Sequence, residues 1–179
     1  ALSRKGRRHA QVGPPSAAGC AGRARSGGEF LAMRISARHT TQIVELAKSG
    51  AYDNVVFHRV IDGFMAQTGD VLHGKLGGDL AMAGTGGSDL PDIPAEFSDV
   101  PFLRGTVGMA RSNSPDSANS QFFIMFAPGD FLNGQYTVVG NVIEGLDVVD
   151  KIRRGNPDLN GAVEGTPDVM AKVTVEGQL

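Results

Sequence analysis

Between residues 55 and 175 the chain sets out six short runs rich in Val, Phe, Ile and Thr, at residues 55–61, 64–67, 106–110, 121–126, 136–142 and 170–175. Stretches carrying Gly, Pro, Asn and Asp separate them, which is the pattern of short strands joined by turns. Only two helices fit around these runs. Thr40 or Thr41 is a suitable N-cap for a helix in which Ile43, Leu46 and Ala47 share one face, and Gly50 ends it. The second is expected over residues 146–153, where Leu146, Val149 and Ile152 fall on one side, Arg153 and Arg154 suit the negative C-terminus and Gly155 stops the turn. Helices that do not alternate with strands argue against parallel βαβ units and for an antiparallel sandwich or a closed barrel.

The segment ahead of this pattern differs in kind. Residues 1–38 hold eight basic residues and one acidic residue, a net +7, whereas residues 39–179 hold nine basic and eighteen acidic residues, a net −9. The first 28 residues are mainly Arg, Gly, Ala, Ser and Pro, with no period of 2 or 3.6, and such a composition cannot bury a core. They are expected to form a disordered basic extension, with residues 29–179 as the one folded domain. An arm for nucleic acid would need aromatic side chains for bases to stack on, and none precedes Phe30. A secretory signal would need an apolar run that is absent; an Arg-rich transit peptide stays open beside a solvated extension. The single cysteine, Cys20, permits no intramolecular disulfide and fits a reducing, cytoplasmic setting, and no apolar run is long enough to cross a membrane.

Familiar chemical motifs fail on inspection. Gly69 to Lys75 has the spacing of a phosphate-binding loop, but Leu76 follows where a hydroxyl should ligate magnesium, and Gly77-Gly78-Asp79 cannot open a helix. Gly84-Thr85-Gly86-Gly87 lacks the third glycine and the strand–helix setting of a dinucleotide fingerprint. No nucleophile elbow occurs, and His9, His39, His58 and His73 show no ligand spacing, so neither cofactor nor metal is expected.

What remains is a set of apolar and polar residues without acid, base or nucleophile. On a strand, Phe57, Arg59 and Ile61 would share one face and Val56, His58 and Val60 the other. Phe64 and Ala66 would likewise oppose Met65 and Gln67. The run from Phe57 to Asp70, FHRVIDGFMAQTGD, with Gly84-Thr85-Gly86-Gly87 and Ser120-Gln121-Phe122-Phe123-Ile124, resembles the cyclophilin family of peptidyl-prolyl cis-trans isomerases. The resemblance continues through residues 105–111, Phe131-Leu132-Asn133-Gly134-Gln135-Tyr136 and residues 146–153, covering about residues 40–175, and the short connection over 48–55 resembles the bacterial form.

The resemblance implies a mainly β fold, an eight-stranded closed antiparallel barrel capped by two helices. It implies that Arg59 is the catalytic arginine, that Phe64, Met65, Phe123 and Leu132 wall a proline pocket, and that Gln67, Ala110, Arg111 and Gln121 line a peptide groove. Phe131 stands where many eukaryotic members have tryptophan, which implies weak cyclosporin binding at most, and Tyr136 where they have histidine. Phe64, Phe123 and Leu132 would serve equally as ordinary core, Arg59 as a surface ion-pair partner, and Gln121 and His58 as hydrogen-bonded structural polars.

The expected activity is isomerisation of X–Pro bonds in folding proteins, by a monomer whose partners are proline-containing peptides and unfolded chains, with no nucleic acid and no membrane. The resemblance stops where the family places two strands ahead of its first helix. That space is residues 1–38, with Ala37 where a proline would stand, and only residues 30–35 offer a strand, a poor one. A first strand missing or replaced, as an altered start or reading frame would leave it, predicts an open sheet edge. The alternative function is then a proline-peptide binding module without catalysis.

Overall fold

The computed structural model describes residues 22–26, 29–33 and 36–176, with side chains from Ser36 onward. Residues 1–21, with Cys20, lie outside the described residues, as do residues 27 and 28. In chain order the elements are β1 (Gly22–Ser26), β2 (Glu29–Met33), α1 (Ala37–Lys48), β3 (Val55–Val56), β4 (Arg59–Ile61), β5 (Met65–Thr68), β6 (Thr106–Met109), β7 (Phe122–Met125), β8 (Val138–Glu144), α2 (Leu146–Val149), β9 (Val169–Met170) and β10 (Val173–Glu176). Eight strands form one antiparallel sheet in the order β10-β1-β2-β8-β6-β7-β5-β4, and β3 pairs with β9.

Two strands therefore do precede the first helix. β1, in the stretch assigned to a disordered extension, lies between β10 and β2, and β2 pairs with β8, so the expected gap is filled. The reason is that ladder bonds are made by backbone N–H and C=O groups. With β8 and β10 each offering an edge, a segment without apolar alternation can still be enrolled.

The expected run over 55–61 is broken at Phe57-His58. There the Phe57 amide donates to the Asp168 carbonyl and the His58 carbonyl accepts from Val163. The break shifts the alternation, so Phe57 joins Val60 in the main core, and the expected face shared by Phe57, Arg59 and Ile61 does not form. The run over 170–175 is broken in the same way between β9 and β10.

Helix α1 begins at Ala37, with Ser36 as N-cap, and not at Thr40 or Thr41. The Ser36 side chain makes no capping bond. Instead the Glu96 carboxylate, brought from 57 residues away, accepts the Arg38 and His39 amides at 3.2 Å and His39 Nδ1 at 2.7 Å. Orphan first-turn donors are thus met by a tertiary partner. Gly50 follows the helix with φ of +76°, as a stop requires. Helix α2 is four residues long, shorter than the 146–153 expected, and it relaxes into tighter turn bonds through Ile152. Arg154 donates to the Asp150 and Ile152 carbonyls there.

Inward-facing side chains from the large sheet and both helices form the main core, including Ile43, Leu46, Val60, Ala66, Val107, Ile124, Val139 and Val149. The alternate residues of the same strands build a second cluster on the other face, with Met65, Phe102, Phe123, Met125, Leu132 and Val138 buried. The candidate functional site is built on that second cluster.

Candidate active site

The β4–β5 hairpin sets Arg59 opposite Gln67 and Ile61 opposite Met65 across a turn in which Gly63 takes φ of +68°. Gln67 then faces Phe123, and Met65 faces Met125, on β7. With a period of two, Arg59, Met65, Gln67 and Phe123 come to one face while Val60, Ala66 and Ile124 enter the core. A short 3₁₀ turn, Asp130–Leu132, brings in Phe131 and Leu132. Together these side chains surround a pocket of about 400 Å³ lined by Arg59, Phe64, Met65, Gln67, Ala110, Arg111, Phe123, Phe131, Leu132, Gln135 and Tyr136.

Ten of the eleven residues singled out from the sequence thus meet in one pocket. The eleventh, Gln121, lines an adjoining depression of about 310 Å³ that shares Gln67, Ala110 and Arg111 with the first. Sequence reasoning missed Gln135, although it lies inside the quoted run from Phe131 to Tyr136. It missed Asn160 as well, whose only signal was its place before Gly161 in a turn.

The pocket floor depends on a glycine that sequence reading passed over. Gly108 on β6 faces Phe123, and a Cβ there would come within 2.6 Å of both the Phe102 and the Phe123 rings. Its absence lets those rings stack at 5.8 Å with 22° between their planes. Phe131 is 65% exposed and leans on Phe64 at 5.4 Å, so it forms the rim and not the floor. Tyr136 stands edge-on to Phe123 at 5.9 Å and carries the Arg111 guanidinium 4.4 Å above its ring.

Arg59 is held on two sides. Its Nε donates to the Asn160 carbonyl and its Nη2 to Asn160 Oδ1, both at 3.0 Å, and its Nη1 donates to Gln67 Oε1 at 3.2 Å. Asn160 can offer both oxygens because it sits at φ of +54°, a left-handed position that Asn tolerates. A guanidinium carries five N–H donors and no acceptor, so these three bonds leave two for a ligand. Burial lowers the Arg59 pKa from its ordinary value, with Tyr136 acting the other way. The arrangement is an apolar pocket beside a cation whose direction is fixed.

Behind Arg59 a polar chain runs through the protein. Gln67 Nε2 donates to Gln121 Oε1, and Gln121 Nε2 donates to the Gly84 and Gly86 carbonyls. The amides of those glycines bond Asp70 Oδ2, and Asp70 Oδ1 takes the Leu72 and His73 amides. Burial pushes the Asp70 pKa up, but the four amides outweigh it and the net shift is downward. Gln121 is thus a bonded structural polar that also lines the adjoining depression. His58 is not, because neither ring nitrogen has a partner among the described residues. Burial pulls its pKa down to about 4, the Asp70 charge opposing and the Arg59 charge assisting.

The sequence model of the family described as "Cyclophilin type peptidyl-prolyl cis-trans isomerase/CLD" matches residues 31–175. A Brucella abortus protein described as "Probable peptidyl-prolyl cis-trans isomerase" is 61% identical over 144 residues, which cover 79% of this chain and 73% of that protein. Peptidyl-prolyl cis-trans isomerase A of Dickeya dadantii is 38% identical over 130 residues, covering 69% of this chain and 64% of its own. Among solved structures, a cyclophilin from Hirschia baltica aligns with a TM-score of 0.69 at 24% identity, covering 85% of this chain and 73% of that one. A cyclophilin-type isomerase from Cryptosporidium parvum, crystallised in the presence of the dipeptide Ala-Pro, aligns with a TM-score of 0.68 at 22% identity, covering 88% and 99%. These two structures speak for the fold, and the family match over residues 31–175 runs through every strand that builds the pocket. The chain therefore belongs to the cyclophilin-type peptidyl-prolyl cis-trans isomerases and is an enzyme that interconverts the cis and trans forms of peptidyl-prolyl bonds.

Proposed function

We propose that the 400 Å³ pocket takes the proline ring of the substrate and that Arg59 is the catalytic residue. Phe64, Met65, Phe123, Phe131 and Leu132 would grip the ring, and the peptide would continue over Gln67, Ala110, Arg111, Gln121 and Tyr136. The observation that carries this reading is the fixed guanidinium, bonded to Asn160 and Gln67 and still holding two N–H groups at the edge of an apolar pocket. The presence of Ala-Pro with the Cryptosporidium parvum relative supports a proline-containing ligand.

The barrier to be lowered is amide resonance, about 18–20 kcal/mol. As the bond twists, the proline nitrogen regains its lone pair and becomes a hydrogen-bond acceptor. An N–H of Arg59 donates to it more strongly than to the planar amide, which is binding selective for the transition state. Low polarity around the ring strengthens that bond. No covalent bond breaks, so the scheme calls for no nucleophile.

Exchange NMR on an Ala-Pro peptide tests the assignment. The protein is expected to speed exchange, and Arg59→Ala to lower kcat/KM about a hundredfold, the scale for losing one transition-state donor, with peptide binding retained. Equal rates for the two proteins would remove Arg59 from the mechanism.

The finer fold belongs to the same reading. β3 runs into β4 and β9 into β10, each after two residues, so the β3–β9 ladder joins the two outer strands of the large sheet. That supports an eight-stranded closed barrel. A groove complete within one chain supports a monomer, and the single cysteine supports cytoplasmic work on unfolded and folding proteins. Phe131 at the rim, in place of tryptophan, supports weak cyclosporin binding at most.

A further inference from the structure

The depression beside this pocket carries a charge that is paired with no carboxylate among the described residues. Arg111 lines both cavities, and neither lining contains a carboxylate. Its Nη1 and Nη2 donate to the Ser112 and Gln135 carbonyls at 2.9 Å, and its carbon centre lies over Tyr136, so the guanidinium is held in place by neutral groups. Its Nε is buried and without a partner among the described residues. Asp116, within the stretch that lines this wall, accepts the Ala95 amide, and Asp92 accepts the Asn119 side chain. The remaining polar groups satisfy one another. Ser112 bonds Ser117, Asn119 Oδ1 takes Ser88, and Gln121 Nε2 is committed to Gly84 and Gly86.

We propose that this depression selects an acidic side chain of the substrate, an Asp or Glu within about three residues of the proline. The two cavities share Gln67, Ala110 and Arg111, so a chain rising about 3.3–3.6 Å per residue passes from one to the other in a few residues. A carboxylate there meets a pre-oriented cation in a partly desolvated cleft; an ammonium meets repulsion. The inference rests on the pocket being the proline site, and it names the class of substrate that site prefers.

The test uses peptides with one proline and Glu, Gln or Lys at each of the three positions on either side, measured with the whole chain. At one position Glu is expected to exceed Lys in kcat/KM by about tenfold at low salt, attraction in one case and repulsion in the other. The Glu/Lys ratio is expected to fall to about twofold or less in Arg111→Gln, and also in the unaltered protein at about 0.5 M salt. The ratio within each protein is the readout, so a general loss of activity in the variant does not affect it. The salt series reads the same property if the variant does not fold. A ratio near one at every position, with Ala-Pro peptides still turned over, overturns the inference and leaves the proline site standing. A ratio that survives Arg111→Gln overturns it by pointing to Arg59. No acceleration of any peptide would overturn the underlying reading of the pocket.

Discussion

His58 sits beside Arg59 in sequence yet faces a different environment, and the difference is measurable. Its ring is buried without a partner among the described residues and its pKa is lowered to about 4, whereas an unfolded chain presents histidine near 6.5. Between those values the unfolded state binds more protons, so stability falls as pH is lowered from about 6.5 towards 4, by up to about 3 kcal/mol. Urea unfolding at pH 7 and pH 4.5 is expected to show that loss, and His58→Gln to flatten it. An unchanged slope in the variant would place the proton uptake elsewhere. Gly108 offers a second residue-scale test. Gly108→Ala would press on Phe102 and Phe123, costing about 1–3 kcal/mol as overpacking does. Because Phe123 lines the pocket, KM for an Ala-Pro peptide is expected to rise several-fold along with the loss of stability. An unaltered KM would mean that the rings give way in another direction. Of the site, the resemblance supplied Arg59, Phe64 and Met65 through one contiguous run and Phe123 and Leu132 through two others, while Asn160 was invisible. It lies 101 residues from Arg59, and nothing local marks an Asn in a turn as a partner for a guanidinium.

Among elements, α1 shows how a helix can be legible in its body and illegible at its start. Ile43, Leu46 and Ala47 are buried as their spacing requires, and Gly50 ends the helix. The first turn, however, is held by Glu96, which accepts two of its amides and the buried His39 ring. Burial pushes the Glu96 pKa up, but the His39 side chain and backbone bonds outweigh it and bring it down. Glu96→Ala is expected to lose about 2–3 kcal/mol, since it strands a buried imidazole as well as uncapping the helix. Hydrogen exchange of the α1 amides should quicken with it. A variant as stable as the parent would show that the first turn needs no such cap. The same limit explains β4. Alternation in sequence placed Phe57 with Arg59, but the backbone at His58 bonds a segment from Gly161 to Asp168, and that pairing reset the phase.

For the molecule as a whole, the decisive contacts are those of β1 and β2. Composition argued that no strand could come from residues 22–26, yet this segment joins β10 to β2, and β2 joins β8. Removing residues 1–33 would leave the facing edges of β8 and β10 unpaired, and a fall in Tm of about 10 °C or more with aggregation is expected. Removal of residues 1–21 leaves all the described strands in the chain and is expected to leave Tm in place. A thermal melt of both truncations checks this, and equal Tm values for all three proteins would deny β1 and β2 a part in stability. The amino-acid sequence by itself determined the short strands and the turns, which are local properties of the chain, and its resemblance to the cyclophilins supplied the residues that line the pocket. Tertiary structure alone decided where α1 begins, how the first strands are recruited, what aims Arg59 and that Arg111 has no counter-charge among the described residues. Each of these depends on groups tens of residues apart, whose meeting is set by packing and by backbone pairing that side-chain pattern does not encode.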